Sequence, residues 1–179
     1  MTVDDNTLLK MLASPETKRK AFGLIVSLYS EMLYWKIRHF VLYHDDADDV
    51  MQNVLMKAWM NIDRFKGDSK ISTWLYSIAV NESLDFLRRK KNVADADADL
   101  YAARHLMADE YFDGDATEAL LQEAIARLPD MQRTVFLLRY YDEMKYSEMS
   151  KMLERTEGAL KANYHIAAQK VLDYIKHRD

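Results

Sequence analysis

Cysteine is absent from the 179 residues. That excludes disulfides and thiolate–metal sites, and it agrees with a reducing, cytoplasmic setting. Glycine occurs four times and proline twice, too little turn material for a sheet of many strands. No segment alternates apolar and polar residues with period two for long. No apolar run approaches the ~20 residues of a membrane span, and the polar N-terminus does not read as a secretory signal. Catalytic signatures are missing as well. His39, His44, His105, His165 and His177 are scattered, with no His-Glu-x-x-His motif and no glycine-rich loop ending in Lys-Ser/Thr to cradle a phosphate. The cluster Asp45, Asp46, Asp48 and Asp49 falls at an expected helix start, where negative charge stabilises the helix dipole. No enzyme activity, cofactor or metal is therefore expected.

What is present is ordinary for a soluble protein, 49% hydrophobic and 30% charged, but the charge is unevenly placed. Residues 1–91 carry +2, residues 92–118 carry −7 and residues 119–179 carry +1, for a net −4. The acidic middle repeats Ala-Asp and contains an Asp-Gly-Asp breaker, the composition of a linker, with at most a transient helix over 100–107. Helical periodicity predicts helices over 15–42, 46–63 and 72–91 before it. Further helices are predicted over 118–128, 131–142, 146–153 and 157–177 after it, with Pro129 as a break. The fold class is all-α, two small helical domains joined by the acidic linker. The expected boundaries are 1–92, 93–117 and 118–179.

The stretch from Arg64 to Asn92 carries the most chemistry. A short loop, Lys66-Gly67-Asp68-Ser69, enters a helix that ends in four cations, Arg88 to Lys91. At about 100° per residue, Leu75, Ala79, Val80, Leu84, Phe86 and Leu87 share a core arc. Trp74, Ser77, Asn81, Asp85 and Arg88 share the opposite one. Aromatic and amide groups beside a basic helix end suit a single nucleic-acid strand. Stacking on a base contributes about 1–3 kcal/mol, which helps offset the few kcal/mol needed to unstack it. The alternative reading of Trp74 is a partly buried ring packed against the preceding loop.

The preceding helix predicts a core stripe of Ala47, Met51, Val54, Leu55, Ala58, Trp59 and Ile62. Met56 and Met60 project on the side of Asp49, Gln52 and Asn53, and flexible thioethers among polar groups suit an adaptable protein-binding surface. Near the C-terminus, Tyr146–Leu153, the turn Glu154-Arg155-Thr156 and the helix from Glu157 form a helix-turn-helix pattern. Thr156 is placed to cap the second helix. Leu160, Tyr164, Ala167, Ala168, Val171 and Ile175 form its expected buried stripe. Gly158, Lys161, Ala162, His165, Ile166 and Gln169 face outward, where a recognition helix meets the major groove.

Taken together, the segments Asp45–Trp59, Asp63–Asn81, Leu121–Leu153 and Thr156–His165 resemble the extracytoplasmic-function (ECF) sigma factors of the sigma-70 superfamily, in the family's order and spacing. The resemblance implies that Asp49, Gln52, Asn53, Met56 and Met60 dock on core RNA polymerase, at the β′ clamp helices, with the β subunit also engaged. It implies that Lys66, Asp68, Ser69, Lys70, Trp74 and Asn81 capture a flipped base of the −10 element. Arg88, Arg89 and Lys90, with Lys91, would hold backbone phosphates. Arg155, Thr156, Gly158, Lys161, Ala162, Asn163, His165 and Ile166 would read the −35 duplex. The linker would thread into polymerase channels. An anti-sigma partner is expected, with Ile166, Met56 and Met60 available to it, and that partner is what would hold the chain at a membrane.

The sequence also departs from the family pattern. Asn163, Ile166 and Ala168 stand where many members carry cations, so a shallower salt dependence is expected of this module. Glu154 occupies a turn position where glycine is frequent, and Lys145 a position where a hydroxyl cap is usual. A plain helix-turn-helix regulator is the competing reading. It accounts for Tyr146–His177 but leaves the Trp74–Asn81 face and the methionine surface without use.

Overall fold

The computed structural model describes residues 4–91, 98–110, 112 and 114–178. The Ala-Asp repeat around 94–97 and part of the Asp-Gly-Asp breaker lie outside the described residues. Among the described residues there are helices and no strand. The chain divides into two compact units, Met1–Val93 and Ala94–Asp179.

The first unit contains α1 (Asp5–Ala13), α2 (Pro15–Phe40), α3 (His44–Asn61) with a 3₁₀ turn (Ile62–Arg64), and α4 (Ile71–Lys91). The long helices pack pairwise, α2 on α3, α2 on α4 and α3 on α4. Ile25, Leu33, Ile37 and Phe40 from α2, Val50, Val54 and Ala58 from α3, and Ile71, Leu75, Ala79 and Val80 from α4 close the core. Two acidic residues in the first turn of α3, Asp45 and Asp46, complement its dipole.

Helix α1 was not predicted. Its local signal is present all the same: the Asp4 carboxylate accepts the Thr7 N–H at 2.7 Å, an N-cap, and Pro15 opens the next helix. Leu8 of α1 is fully buried, and the helix packs on α2. Trp59, assigned to the core stripe, is 38% exposed. It sits at the bundle edge, with Phe22 edge-on at 5.0 Å and the Lys18 ammonium 5.3 Å from its ring. Leu84, Phe86 and Leu87 are half-buried rather than core, because the inward positions are taken by Glu82 and Ser83. Glu82 is buried there as an ion pair with Lys57 of α3, which satisfies its charge.

The second unit contains α5 (Ala98–Arg104) with a 3₁₀ turn (Leu106–Ala108), α6 (Ala116–Ala126), α7 (Asp130–Tyr140), α8 (Tyr146–Leu153) and α9 (Glu157–Lys176). Helix α9 is the hub, against α6, α7 and α8. Ile125, Leu137, Leu138, Met149, Leu160 and Ala167 fill the centre. Tyr164, Ala168 and Ile175 of the expected stripe are half-buried, while Leu160, Ala167 and Val171 are buried.

Part of the stretch read as linker is thus packed structure. Ala102, Ala103 and Leu106 are buried, and α5 lies on α6. The tie is Glu123, whose Oε1 accepts from Tyr174 Oη (2.6 Å), Arg104 Nε (2.9 Å), an Arg178 guanidinium nitrogen (3.0 Å) and an Arg127 guanidinium nitrogen (3.4 Å). Burial acts to raise the carboxyl pKa, but the Tyr174 hydroxyl and the three guanidinium groups outweigh it and hold the group below its ordinary range. A composition of alanine and aspartate does not reveal this, because the anchoring carboxylate lies 19 residues further on.

Candidate nucleic-acid and polymerase interfaces

Three separate surfaces emerge, one on α3, one on the loop and outer face of α4, and one on the α8–α9 turn with the start of α9. On α3, Asp49, Gln52, Met56 and Met60 are exposed and Asn53 is half-buried. At 100° per residue they fall within an arc of roughly 100°, opposite Val50, Val54 and Ala58. Met56 is 55% and Met60 71% exposed. Both thioethers thus stand open on one stripe of the helix.

The loop before α4 leaves the 3₁₀ turn at Phe65 and reaches Ile71. Lys66, Asp68, Ser69 and Lys70 are all exposed. Gly67 takes φ +79°, a conformation that costs an L-residue energy and that glycine adopts freely. Arg64, not singled out from the sequence, is also exposed, so the loop presents three cations.

Trp74 is half-buried. Its ring lies 5.1 Å from that of Phe65, the planes inclined by 32°. The structure therefore has the packed arrangement held open as the alternative: the tryptophan supports the loop it follows. Phe65 was missed because a lone aromatic beside a glycine loop has no periodicity to assign its direction.

Along the outer face of α4, Asn81, Arg88 and Arg89 are exposed. Arg88 reaches back to Asp85 at 3.0 Å, a surface pair of small worth. Lys90 points elsewhere, about 160° round the helix from Trp74. Its ammonium meets Asp46 at 2.5 Å and lies 4.8 Å from the Tyr43 ring. Lys90 thus ties α4 to the start of α3. The backbone of Lys91 ends α4.

On the second unit, Glu154 has φ +52° and ψ +46°, the left-handed conformation anticipated from its place in the turn. The Ser150 hydroxyl donates to the Arg155 carbonyl at 2.6 Å, and the Arg155 N–H returns to the Ser150 carbonyl at 3.3 Å, which offsets the cost of that backbone. The Thr156 hydroxyl accepts the Ala159 N–H at 3.2 Å and caps α9. Where Lys145 replaces a hydroxyl cap at the start of α8, Glu148 accepts the Lys145 N–H at 3.1 Å instead.

Arg155, Thr156, Gly158, Lys161, Ala162, His165 and Ile166 are exposed. Those on α9 share an arc of roughly 140°. Asn163 falls outside that arc, is half-buried, and donates from Nδ2 to the Ala159 carbonyl at 2.8 Å. A Cβ at Gly158 would stand in open space, so nothing within the unit obstructs approach there. Lys161 lies 3.9 Å from Glu157 and 5.6 Å from the Tyr146 ring, held loosely at the front of the helix.

A capped helix presenting its N-terminal turns after a left-handed turn is the geometry of a duplex reader. Combined with a basic loop and helix face on a separate unit, it defines a DNA-binding protein with two distinct readers. Comparison with known proteins names the family. Residues 25–93 match Sigma-70 region 2 and residues 118–171 match Sigma-70, region 4. The ECF RNA polymerase sigma factor SigW of Bacillus subtilis is 33% identical over 81% of this chain and 83% of its own length. The ECF RNA polymerase sigma-E factor of Escherichia coli K12 is 28% identical over 86% of this chain and 85% of its own. The chain belongs to the sigma-70 family, and within it to the ECF sigma factors, as the four motifs indicated.

Two solved structures share the fold. One is CnrH in complex with the cytosolic domain of CnrY, with a TM-score of 0.68 and 24% identity over 98% of this chain and 99% of that one. The other is the sigma factor RpoE with the anti-sigma factor NepR from Bartonella quintana, with a TM-score of 0.65 and 21% identity over 88% of this chain and 98% of that one. Among the described residues, no helix is long and apolar enough to cross a membrane, and no cluster of His, Asp and Glu has metal-binding geometry.

Proposed function

We propose that this sigma factor divides its work among the three surfaces as follows. The α3 stripe of Asp49, Gln52, Asn53, Met56 and Met60 docks on core RNA polymerase. The loop carrying Lys66, Asp68, Ser69 and Lys70, together with Asn81, takes a base of the −10 element from the displaced strand, while Trp74 shapes the loop from behind. Arg88 and Arg89 hold the backbone. Trp74 and Arg88 are separated by about 21 Å of helix rise, so loop and helix end meet different nucleotides. Arg155, Thr156, Gly158, Lys161, Ala162, His165 and Ile166 read the −35 duplex. The working boundaries are 1–92 for the first reader, 93–117 for the connection and 118–179 for the second.

The observation that carries this reading is that the exposed loop 66–70 runs directly into α4, on which Thr73, Asn81, Arg88 and Arg89 are exposed while Trp74 and Ser77 are half-buried. Loop cations attract phosphate without sequence preference. The amide of Asn81 and the hydroxyl of Ser69 supply the directional hydrogen bonds that a base edge requires. Opening is then a matter of binding free energy and needs no covalent step, which leaves the chain without a catalytic role. The cytoplasm, where polymerase and DNA reside, is its place of action. An anti-sigma partner is part of the proposal, supported by the complex of RpoE with the anti-sigma factor NepR, which shares the fold, and by the open Met56 and Met60.

Run-off transcription with core polymerase tests the reading. Specific initiation from promoters mapped by sequencing transcripts after overexpression is expected. A chain that binds those promoters yet initiates only when another sigma factor is supplied is a plain helix-turn-helix regulator.

A further inference from the structure

The match to Sigma-70 region 2 begins at residue 25, so α1 lies before the matched segment. Its placement is specific. Asp5, in the first turn of α1, points its carboxylate at the start of α4: Oδ2 accepts the Ile71 N–H at 3.1 Å. The other oxygen accepts the Tyr29 hydroxyl of α2 at 3.3 Å. One side chain therefore joins three helices where the loop 66–70 enters α4. Ile71 is the first residue of that helix, and its N–H belongs to the group with no intrahelical partner. A carboxylate 66 residues away supplies the cap that residues within the loop would otherwise provide.

One turn further along α1, Leu9 covers the loop itself. Its Cδ1 lies 3.0 Å from where a Cβ on Gly67 would stand. Glycine at φ +79° thus serves two needs, the left-handed turn and the close approach of Leu9. Below the loop, Lys18 of α2 meets the Asp63 carboxylate at 2.6 Å, fixing the 3₁₀ turn from which the loop departs. The Thr17 hydroxyl donates to the Met11 carbonyl at 2.7 Å, locking α1 to α2. Both ends of the loop and its glycine are held from the α1–α2 corner, while the outward side chains Lys66, Asp68, Ser69 and Lys70 stay free of that scaffold.

We propose that α1 is a brace for strand capture, with Asp5 and Leu9 as positioning residues that hold the loop 66–70 in the shape that receives a base. The inference rests on the assignment of that loop to the displaced strand. A preorganised loop loses less conformational entropy on binding than a mobile one, so the brace acts on opening and not on docking, whose residues lie on α3. Asp5 touches neither DNA nor polymerase in this scheme. It acts through the Ile71 amide.

The test uses the full chain with core polymerase and a promoter fragment chosen by transcript mapping. Asp5→Ala should slow the appearance of permanganate-reactive thymines about fivefold, the size of a lost helix cap, with core affinity unchanged. Amide exchange at Gly67 and Ile71 should speed up. Asp5→Asn keeps an acceptor oxygen for the Ile71 N–H and should recover most of the rate. Leu9→Ala, probing the loop through a separate contact, should slow opening in the same direction. Unchanged opening in both Asp5→Ala and Leu9→Ala, while Asn81→Ala is slowed, overturns the brace and leaves the loop assignment standing. Unchanged opening in Asn81→Ala and in a Lys66→Ala/Lys70→Ala chain overturns the loop assignment and the brace with it. If core affinity falls in step with opening, α1 only keeps the unit folded and the proposal fails.

Discussion

Phe65 and Trp74 face each other across the loop that opens α4, ring centroids 5.1 Å apart and planes inclined by 32°. A ring engaged in this way supports the loop more than it waits for a base. Trp74→Ala should therefore impair promoter opening more than core-polymerase binding, and Phe65→Ala should reproduce much of the loss although Phe65 carries no polar group. An aromatic pair contributes about 0.5–1.5 kcal/mol beyond its area burial, so Trp74→Phe should restore most of the opening rate. Permanganate footprinting of the three variants decides it; full opening by Trp74→Ala would refute any role for the pair.

Arg89 and Lys90 are adjacent in sequence and different in circumstance. Arg89 is exposed, whereas Lys90 is tied to Asp46 at 2.5 Å and set over Tyr43. Removing a phosphate contact reduces the salt slope of binding by about 1. Arg89→Ala should show that reduction on a forked promoter fragment with core polymerase present, and little change in thermal stability. Lys90→Ala should instead destabilise the first unit by roughly 1 kcal/mol and leave the salt slope alone. The reverse pattern would move the phosphate contact to Lys90.

Met56 and Met60 are the most open apolar side chains of α3. Replacing both with serine removes thioether surface without touching the core, so the folded chain should melt within about 0.5 kcal/mol of the parent. Affinity for core polymerase should fall about tenfold or more, in the range of a lost interface anchor. Titration of labelled core polymerase against each variant measures this directly, and an unchanged affinity removes α3 from the docking surface.

The two helical units and the course of most helices were legible because long apolar stripes at period 3.6 need a partner; α1 escaped, and α5 was read as no more than a transient helix over 100–107. Each is short. Each is held by a carboxylate contact that spans a long stretch of sequence, Asp5 of α1 on the Ile71 amide and Glu123 on Arg104 of α5. Local propensity does not report such long-range ties. Side-chain direction was legible for Asn81, Arg88 and the front of α9. It was not legible for Lys90, Asn163 or Trp59, where a neighbouring helix or the residue's own backbone decides the outcome. The linker was read from its charge, yet Leu106 and the paired alanines Ala102 and Ala103 are buried, and three small apolar burials are a weak signal among so many aspartates.

Glu123 makes the second unit sensitive to acid. Its folded pKa lies below the ordinary value of 4.5. The stability it contributes is therefore complete above that ordinary value and is lost as the pH falls through the depressed one. Glu123→Gln should cost roughly 2 kcal/mol at neutral pH, less than a fully buried pair because the guanidinium groups are partly solvated. The variant should also flatten the acid limb of the stability profile. Trp35, Trp59 and Trp74 are the chain's three tryptophans, and all lie in the first unit. The loss should therefore be visible in helix circular dichroism while the tryptophan fluorescence transition stays in place. A fluorescence shift of equal size would mean that the carboxylate does not act locally.

Lys161 is exposed at the front of α9, 3.9 Å from Glu157. If it meets duplex DNA, Lys161→Ala should weaken binding to a −35 fragment and leave core-polymerase affinity unchanged. Glu157→Gln removes the carboxylate that competes with phosphate for the ammonium and should shift duplex affinity the opposite way. With cations absent at Asn163, Ile166 and Ala168, the whole second unit has few phosphate contacts to lose, so its salt slope should be shallow and fall further by about 1 in Lys161→Ala. Titrating the −35 duplex at several salt concentrations separates the contributions. A steep slope that Lys161→Ala leaves intact would place the phosphate contacts elsewhere, with Arg155 in the turn as the next cation to remove.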